Sequence, residues 1–309
     1  MVNFINFRNF KTLQTTNKLV LWFVASLAIS LIFFGEFWAN LGTMLSPNRI
    51  LVQHHASPWG VLALCLIFLW LKRKEVWGKM NRGLSLAFIP LGLGIIAGAV
   101  LMPSSQDYLA FQVLLASLGV FVILFGRGAK IPAILLAIYG FAISFPPAIE
   151  RFAEDAYSRT AIAPLVGLMT TLGYPLENQG QWVHFTTSTG EPISVAITAA
   201  CAGPATMGVF LAIFALMMLD MPLLPKKAGY MFLFGVVGTW FQNFIRLIII
   251  ILVGYYLGAD AMWTAHFWTI YILFPLWCLL FIYIYFRQVE RPSEVRGKQE
   301  PKHTLAVES

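Results

Sequence analysis

The chain has 309 residues, of which 59% are hydrophobic and only 11% are charged. Soluble domains carry about 25% charged residues, and one core of this size could not bury so much apolar surface, so the composition excludes an ordinary soluble protein. The net charge of +7 suggests nucleic-acid binding, but the positions of the basic residues argue against it. An odd number of cysteines, three in all, argues against a disulfide scaffold.

Several apolar runs are long enough, or nearly so, to cross a bilayer, which takes about 20 mainly apolar residues. They cover 19–38, 57–71, 84–102, 108–125, 131–148, 201–219, 229–257 and 266–286. The sequence therefore predicts an all-α membrane protein with a bundle of about eight transmembrane helices. No small-residue cleavage site follows the first run, which predicts a retained helix. We predict a single transmembrane domain over residues 1–287 and a disordered cytoplasmic tail over residues 288–309.

The basic residues predict the orientation of this bundle. If the runs alternate in direction from a cytoplasmic N-terminus, 17 of the 21 Lys and Arg residues fall on the cytoplasmic side. Arg49, Arg151 and Arg159 fall outside, and Arg246 lies within a run. Cytoplasmic loops of membrane proteins carry such an excess. Both chain ends are therefore predicted to face the cytoplasm of a multi-pass protein in the cell membrane, and the basic excess sets topology instead of binding nucleic acid.

One external segment, residues 149–200, is long enough to hold structure of its own. Its first half has apolar residues at helical spacing and predicts an amphipathic helix on the outer surface of the membrane: Phe152, Ala156, Ile162, Leu165, Leu168 and Leu172. Its second half alternates apolar and polar residues around Thr189-Gly190. That alternation predicts a small β-hairpin between the fifth and sixth runs, which delivers the chain to Cys201.

Cys201 lies at the boundary between polar and apolar sequence, within Ala200-Cys201-Ala202-Gly203-Pro204. Cys65 and Cys278 lie inside apolar runs, where cysteine behaves as a small hydrophobic residue. If a helix begins at Cys201, its free amides favour the thiolate and can receive an oxyanion. Gly203 would allow another backbone to approach closely. The alternative interpretation of Cys201 is a buried small residue.

Arg246 and His266 are the other candidate site residues. A charged group at membrane depth costs several kcal/mol and is normally paired and functional, and Asn243 lies one turn away, where it could orient the guanidinium. A structural clamp between helices is the alternative. His266 is expected at the outer start of the last helix, where it is a candidate general acid or base or an interfacial histidine. His184 is the reserve candidate.

Metal-binding patterns are not evident. The sequence has no H-E-x-x-H motif and no Cys/His spacing of the usual kind. We therefore expect neither a metal nor a cofactor.

The chain resembles the exosortase/archaeosortase family through three motifs in a fixed order. These are Cys201-Ala202-Gly203, Asn243-Phe244-Ile245-Arg246 and His266, and the similarity is clearest over residues 145–286. The resemblance implies a membrane cysteine peptidase or transpeptidase with catalytic Cys201, Arg246 and His266, supported by Asn243 and Gly203. It implies that the substrates are exported proteins whose C-terminal sorting signal has a short motif, a membrane helix and a basic tail. A membrane lipid is a possible acceptor.

Two other functions are open at this point. A polytopic transporter would use Arg246, Gln242 and Asn243 as an intramembrane anion site. An assembly protein of the cell envelope would use segment 149–200 as a docking surface.

If the chain is the enzyme that the resemblance implies, its site is expected to face the extracytoplasmic side. Cys201 would then cleave the sorting signal near the membrane–water interface.

Overall fold

The computed structural model describes residues 15–46, 56–80, 86–103 and 108–290, and the chain divides into two compact units, residues 1–144 and 145–309. The last helix continues into the predicted tail as far as Glu290. Residues 291–309 lie outside the described residues, as do Arg8, Lys11 and Arg49 of the topology prediction. The prediction of one domain over residues 1–287 stays a prediction.

The first unit is built from helices: α1 (Thr15–Phe33), α2 (Gly35–Met44), α3 (Ala56–Leu71), α4 (Arg73–Met80), α5 (Phe88–Leu101), α6 (Leu109–Phe125) and most of α7 (Lys130–Phe152). The helices α5 and α6 pack closely because both present glycine at the contact. A Cβ atom built on Gly92 would lie 2.5 Å from the carbonyl oxygen of Gly119. Small residues allow this close backbone approach between apolar helices.

The lengths and composition of the helices are those expected of a mainly helical membrane protein. Three helical stretches are long and apolar enough to cross a membrane, namely Thr16–Phe33, Leu109–Phe152 and Pro225–Val289, and shorter apolar helices cover Pro58–Leu71, Phe88–Leu101 and Pro204–Asp220. The stretch Leu109–Phe152 joins α6 and α7 through a 3₁₀ turn, Gly126–Ala129. A mainly helical protein with several apolar helices is thus confirmed. The number of membrane crossings and their direction stay predictions.

The second unit adds α8 (Glu154–Thr171), the strands β1 (Leu176–Gln179), β2 (Trp182–Thr186) and β3 (Pro192–Ala196), then α9 (Pro204–Asp220) and α10 (Pro225–Glu290). Helix α8 covers most of the predicted amphipathic helix and buries Ile162 and Leu165 of its expected apolar face. The other predicted apolar residues are exposed: Phe152, Ala156, Leu168 and Leu172. The position of this helix at the membrane surface stays a prediction. The predicted hairpin corresponds to β2 and β3. Strand β1, which the sequence analysis did not predict, completes a three-stranded sheet.

The sheet is an antiparallel meander in the order β1-β2-β3. Val183 pairs with Val195, and Phe185 pairs with Ile193. Because side chains alternate along a strand, Val183, Phe185 and Ile193 share one face. That face packs in one buried cluster with residues of α8 and α10, including Leu165, Met169, Ile250 and Ile251. The sheet therefore belongs to the core of the second unit.

Helix α10 is a hairpin of two arms, residues 225–257 and 259–290. Gly258 separates them with φ 83° and ψ −178°, a conformation open almost only to glycine. The arms pack against each other: the Trp277 indole N–H donates to Thr239 Oγ1 at 3.0 Å, and Gly238 leaves the space that the Trp277 ring fills. The second arm begins seven residues before the predicted start at 266, because Gly258 sets its start and the apolar run does not.

The extreme end of the first arm contacts the sheet region. The Ser188 N–H donates to the Tyr255 carbonyl at 2.9 Å, and the hydroxyls of Tyr174 and Tyr256 are 2.8 Å apart. The last turn of this arm is therefore fixed by the segment that leads to Cys201.

We expect Gly92→Ala to destabilise the protein, because the added methyl must displace the Gly119 backbone or separate α5 from α6. Overpacking of this kind costs about 1–3 kcal/mol. Thermal unfolding in detergent measures the effect as a lowered Tm. Gly94→Ala is the matched control, since a Cβ there meets nothing within 4 Å. Equal Tm values for the two variants would contradict the close packing of these helices.

Candidate active site

Cys201 lies in a 3₁₀ turn, Ala199–Ala202, that connects the sheet to α9. The N–H groups of Cys201 and Ala202 both donate to the Thr198 carbonyl, at 3.0 and 3.2 Å. The Thr198 hydroxyl lies 3.9 Å from the Cys201 sulfur. The thiol is half-buried, which leaves it accessible from one side.

This position corrects the expectation that a helix begins at Cys201. Helix α9 begins at Pro204 after Gly203, which has a left-handed conformation with φ 99°. Proline has no N–H and favours the first helical position, so the helix cannot begin with a free amide at Pro204. The Cys201 and Ala202 amides are already paired in the turn. These two amides are therefore not free to receive an oxyanion, and the buried Arg246 side chain is a candidate to stabilise negative charge there.

Gly203 has a steric role as well as a conformational one. A Cβ atom there would lie 2.8 Å from Asn243 Cγ, closer than atoms can pack. Gly203 thus permits the close approach that the sequence analysis expected, but of the Asn243 side chain and not of another backbone.

Asn243 joins the cysteine turn to the first arm of α10. Its side chain is 2% exposed, and its Nδ2 donates to the Cys201 carbonyl at 3.1 Å. Its Oδ1 accepts from Arg246 Nη1 at 3.4 Å. One buried amide therefore contacts both the cysteine backbone and the guanidinium.

Arg246 is 3% exposed, and its contacts within the described part of the chain are to an amide, a carbonyl and an imidazole. Its Nη2 donates to the His266 carbonyl at 3.2 Å and lies 3.4 Å from each ring nitrogen of His266. Since Nη2 is equidistant from both nitrogens, the carbonyl is the better directed acceptor. Within the residues that the structure describes, Arg246 Nε is buried and has no hydrogen-bond partner.

Cys201 lies within electrostatic range of this cation. A buried charge without an opposite charge is strongly unfavourable. A thiolate, or an oxyanion formed next to it, would supply the missing negative charge. The arrangement therefore favours anionic chemistry at Cys201.

His266 lies in the second arm of α10, beside Arg246. The expectation that it opens the last helix is wrong, because Gly258 breaks the backbone and Ala259 to Ala265 continue as helix. The ring packs edge-on against Trp263, with centroids 5.7 Å apart. His266 is thus inside the helical hairpin, where its ring and carbonyl both meet the guanidinium.

The structure places the reserve candidate elsewhere. His184 Nδ1 lies 2.7 Å from the Ser194 hydroxyl on the sheet, away from the buried face. The sequence analysis also missed Thr198, whose carbonyl organises the cysteine turn. No sequence signal identifies a threonine in that role, because the turn is a property of the backbone.

No group of three or more His, Cys, Asp or Glu side chains in the described part of the chain is arranged to hold a metal ion. The Thr198 hydroxyl and the Asn243 amide contact Cys201 directly. The Arg246 guanidinium is linked to it through Asn243 and in turn contacts the His266 imidazole. These groups suit acyl transfer with charge stabilisation by a side chain.

Comparison with known proteins gives an independent assignment. No curated protein and no solved structure matches the chain. The family model described as transmembrane exosortase (Exosortase_EpsH) matches residues 51–283, which is more than half of the 309 residues and includes Cys201, Asn243, Arg246 and His266. The chain therefore belongs to the transmembrane exosortase family, a family of multi-pass membrane proteins of the cysteine transpeptidase type.

Proposed function

We propose that this protein cleaves the C-terminal sorting signal of exported proteins with Cys201 as nucleophile, and transfers the new C-terminus to an acceptor. Membership in the exosortase family implies processing of sorting signals on PEP-CTERM-like proteins. The single observation that supports the residue assignment is the buried Arg246 guanidinium, which contacts no carboxylate among the described residues and is linked to Cys201 through Asn243.

The chemistry begins with a proton transfer from the Cys201 thiol to His266. The thiolate attacks the carbonyl carbon of the scissile peptide bond, and the carbonyl oxygen becomes an oxyanion. The tetrahedral intermediate collapses, the C–N bond breaks, and His266 returns its proton to the leaving amine. The product is a thioester between Cys201 and the substrate, which an incoming nucleophile then cleaves to regenerate the thiol.

Arg246 stabilises negative charge during this sequence. The charge is first on sulfur, then on the carbonyl oxygen, and a fixed cation in a site shielded from water stabilises both. Asn243 and the His266 carbonyl hold the guanidinium in place, so little reorganisation accompanies the reaction. Arg246 thus replaces the backbone amides that the turn at Cys201 has already paired.

The site belongs at the outer membrane–water interface. Arg246 follows Lys227 by 19 residues along one arm of α10, which corresponds to about 28 Å of helix, close to the roughly 30 Å thickness of a hydrocarbon core. If Lys227 lies at the cytoplasmic surface, as the distribution of basic residues favours, Arg246 lies at the opposite surface. The sheet and the end of this arm then extend into the extracytoplasmic space.

The acceptor in this proposal is a lipid amine or a phosphate-bearing head group, with water as the competing nucleophile. A site at the interface favours a lipid, since head groups are concentrated there. Family membership supports this enzyme over the transporter and the envelope scaffold, both of which leave the order of the three motifs without a purpose.

We expect Cys201→Ala to abolish cleavage of a substrate that carries its complete C-terminal signal, with a loss of at least about 1,000-fold because the nucleophile is removed. Purified protein and substrate in the same proteoliposomes, followed by mass spectrometry of the new C-terminus, measure the effect. Cys278→Ala, which removes a thiol from the second arm of α10, should retain activity. Cleavage by the Cys201→Ala protein would refute the assignment.

We expect Arg246→Gln to lower kcat by about 100- to 1,000-fold, the range found when a donor to an oxyanion is removed. The kcat of Arg246→Lys should lie between those of the unmodified protein and Arg246→Gln, because lysine keeps the charge but not the planar group that contacts Asn243 and His266. Arg159→Gln, which removes an exposed arginine of α8, is the control. Thermal unfolding in detergent, measured for each variant, separates a loss of catalysis from a loss of folding. An unchanged kcat for Arg246→Gln would exclude this role.

We expect Gly203→Ala to reduce cleavage strongly by displacing Asn243. The matched control is Gly190→Ala, because Gly190 has a similar φ of 91° but a Cβ there meets nothing within 4 Å. Both variants bear the backbone strain of about 1–3 kcal/mol, and only Gly203→Ala adds the clash. The assay is the proteoliposome cleavage rate, and equal activities would show that Asn243 is not needed in its position.

A further inference from the structure

A groove runs along the seam between the two arms of α10, directly beneath the Arg246–His266 pair. Its volume is about 260 Å³. Its lining is apolar apart from one amide: Gly238, Phe241, Gln242, Ile245, Leu273, Trp277 and Leu280. A second groove of about 370 Å³ opens further along the same seam, towards Lys227 and Gln288.

Gln242 is the unexplained residue of this groove. Its side chain is 6% exposed, and neither its Oε1 nor its Nε2 has a hydrogen-bond partner among the described residues. An unsatisfied buried amide costs about 1–3 kcal/mol. Gln242 makes no contact that accounts for its presence in the folded protein alone, so its amide points to a ligand with both a donor and an acceptor.

The groove lies near the candidate active site along both arms of α10. Gln242 precedes Arg246 by four residues, about 6 Å along the helix, and Leu273 follows His266 by seven residues, about 10 Å. A molecule in the groove therefore approaches the reacting atoms from within the membrane. Its polar group would meet Gln242 roughly one helical turn below the guanidinium.

We propose that this groove binds the membrane helix of the substrate, and that Gln242 pairs with the peptide groups just after the scissile bond. This inference rests on the proposed function. The first four N–H groups of any helix lack a partner within the helix, and in a membrane they have no water either. The Gln242 amide can accept from one of these N–H groups and donate to a preceding carbonyl, whereas a lipid acyl chain offers neither.

The length of the seam supports a helix as the occupant. The two grooves are lined by residues from Lys227 to Ile245 on the first arm, about 27 Å of helix. A substrate helix that crosses the hydrocarbon core has similar length. The lining side chains Phe234, Phe241 and Leu280 are each two-fifths or more exposed, so they are available for contact with another helix.

A photo-crosslinking residue at position 280 tests the contact directly. Leu280 lines the groove, whereas its neighbour Leu279, which is 63% exposed, does not. The two side chains therefore lie at a similar depth on the same helix but point in different directions. In a Cys201→Ala background that retains uncleaved substrate, we expect an adduct with the substrate's membrane helix from position 280 and at least about tenfold less from position 279. Adducts with phospholipid or with a second copy of this chain, or equal yields from both positions, would overturn the proposal.

Gln242→Leu tests the hydrogen bonds. Inter-helical hydrogen bonds in membranes contribute about 0.6–1.7 kcal/mol, so we expect KM for the complete substrate to rise about 3- to 18-fold with little change in kcat. In this variant, a small soluble reagent should alkylate Cys201 at the same rate as in the unmodified protein. An unchanged KM would show that Gln242 takes no part in substrate recognition. If the unmodified protein did not cleave the substrate, the proposed function would be refuted instead. The crosslinked adducts would still show whether the groove binds the substrate's membrane helix.

Discussion

The second unit depends on keeping one guanidinium away from water. Arg246 is 3% exposed, and a buried charge without compensation costs several kcal/mol, so the surrounding chain must supply polar groups. It does so from three segments distant in sequence: Asn243 on the same arm, the carbonyl and ring of His266 on the other arm, and Cys201 through electrostatic interaction. None of these groups carries a full negative charge in the resting thiol form. The site is therefore arranged for an anion that is present only when the cysteine reacts, which is the expected property of a group that stabilises a transition state more than a ground state.

Two glycines make this arrangement possible. Gly203 ends the cysteine turn with a positive φ and leaves room for Asn243. Gly258 reverses the chain between the arms of α10, and this reversal brings His266 back to the level of Arg246. The sheet adds a third constraint, because Val183, Phe185 and Ile193 pack with Ile250 and Ile251 and so fix the strand that leads into the cysteine turn. Local backbone conformations, more than apolar packing, thus determine which side chains meet.

Hydropathy predicted most of the helices, because apolar runs in a membrane protein must pair their backbone groups internally and helices do so. The alternation around Thr189-Gly190 predicted the hairpin. An arginine within an apolar run made Arg246 a candidate site residue, and the structure shows that this side chain is buried. Helix ends were predicted less well. The run from 266 to 286 marks where apolar sequence lies, whereas the arm starts after Gly258, since a helix that extends beyond the membrane can carry polar residues. Strand β1 was missed because Leu176-Glu177-Asn178-Gln179 has only one buried apolar residue. The pairing of the Cys201 and Ala202 amides depends on the turn conformation, which residue types do not reveal.

In the proposed enzyme, the seam between the arms of α10 would connect recognition of the substrate helix to the reaction. A substrate whose helix lies in the groove has its depth and rotation fixed by the packing of that helix, and the next residues emerge at the level of Arg246. Holding a reacting group in this way replaces a collision by a step within one complex, which can lower the barrier by about 7–11 kcal/mol when alignment is good. Because the helix supplies the alignment, the chain needs few contacts to the short motif itself. An enzyme of this design would distinguish its substrates largely by where their membrane helix begins, since moving that start by one residue displaces the scissile carbonyl by about 1.5 Å and rotates it by about 100°.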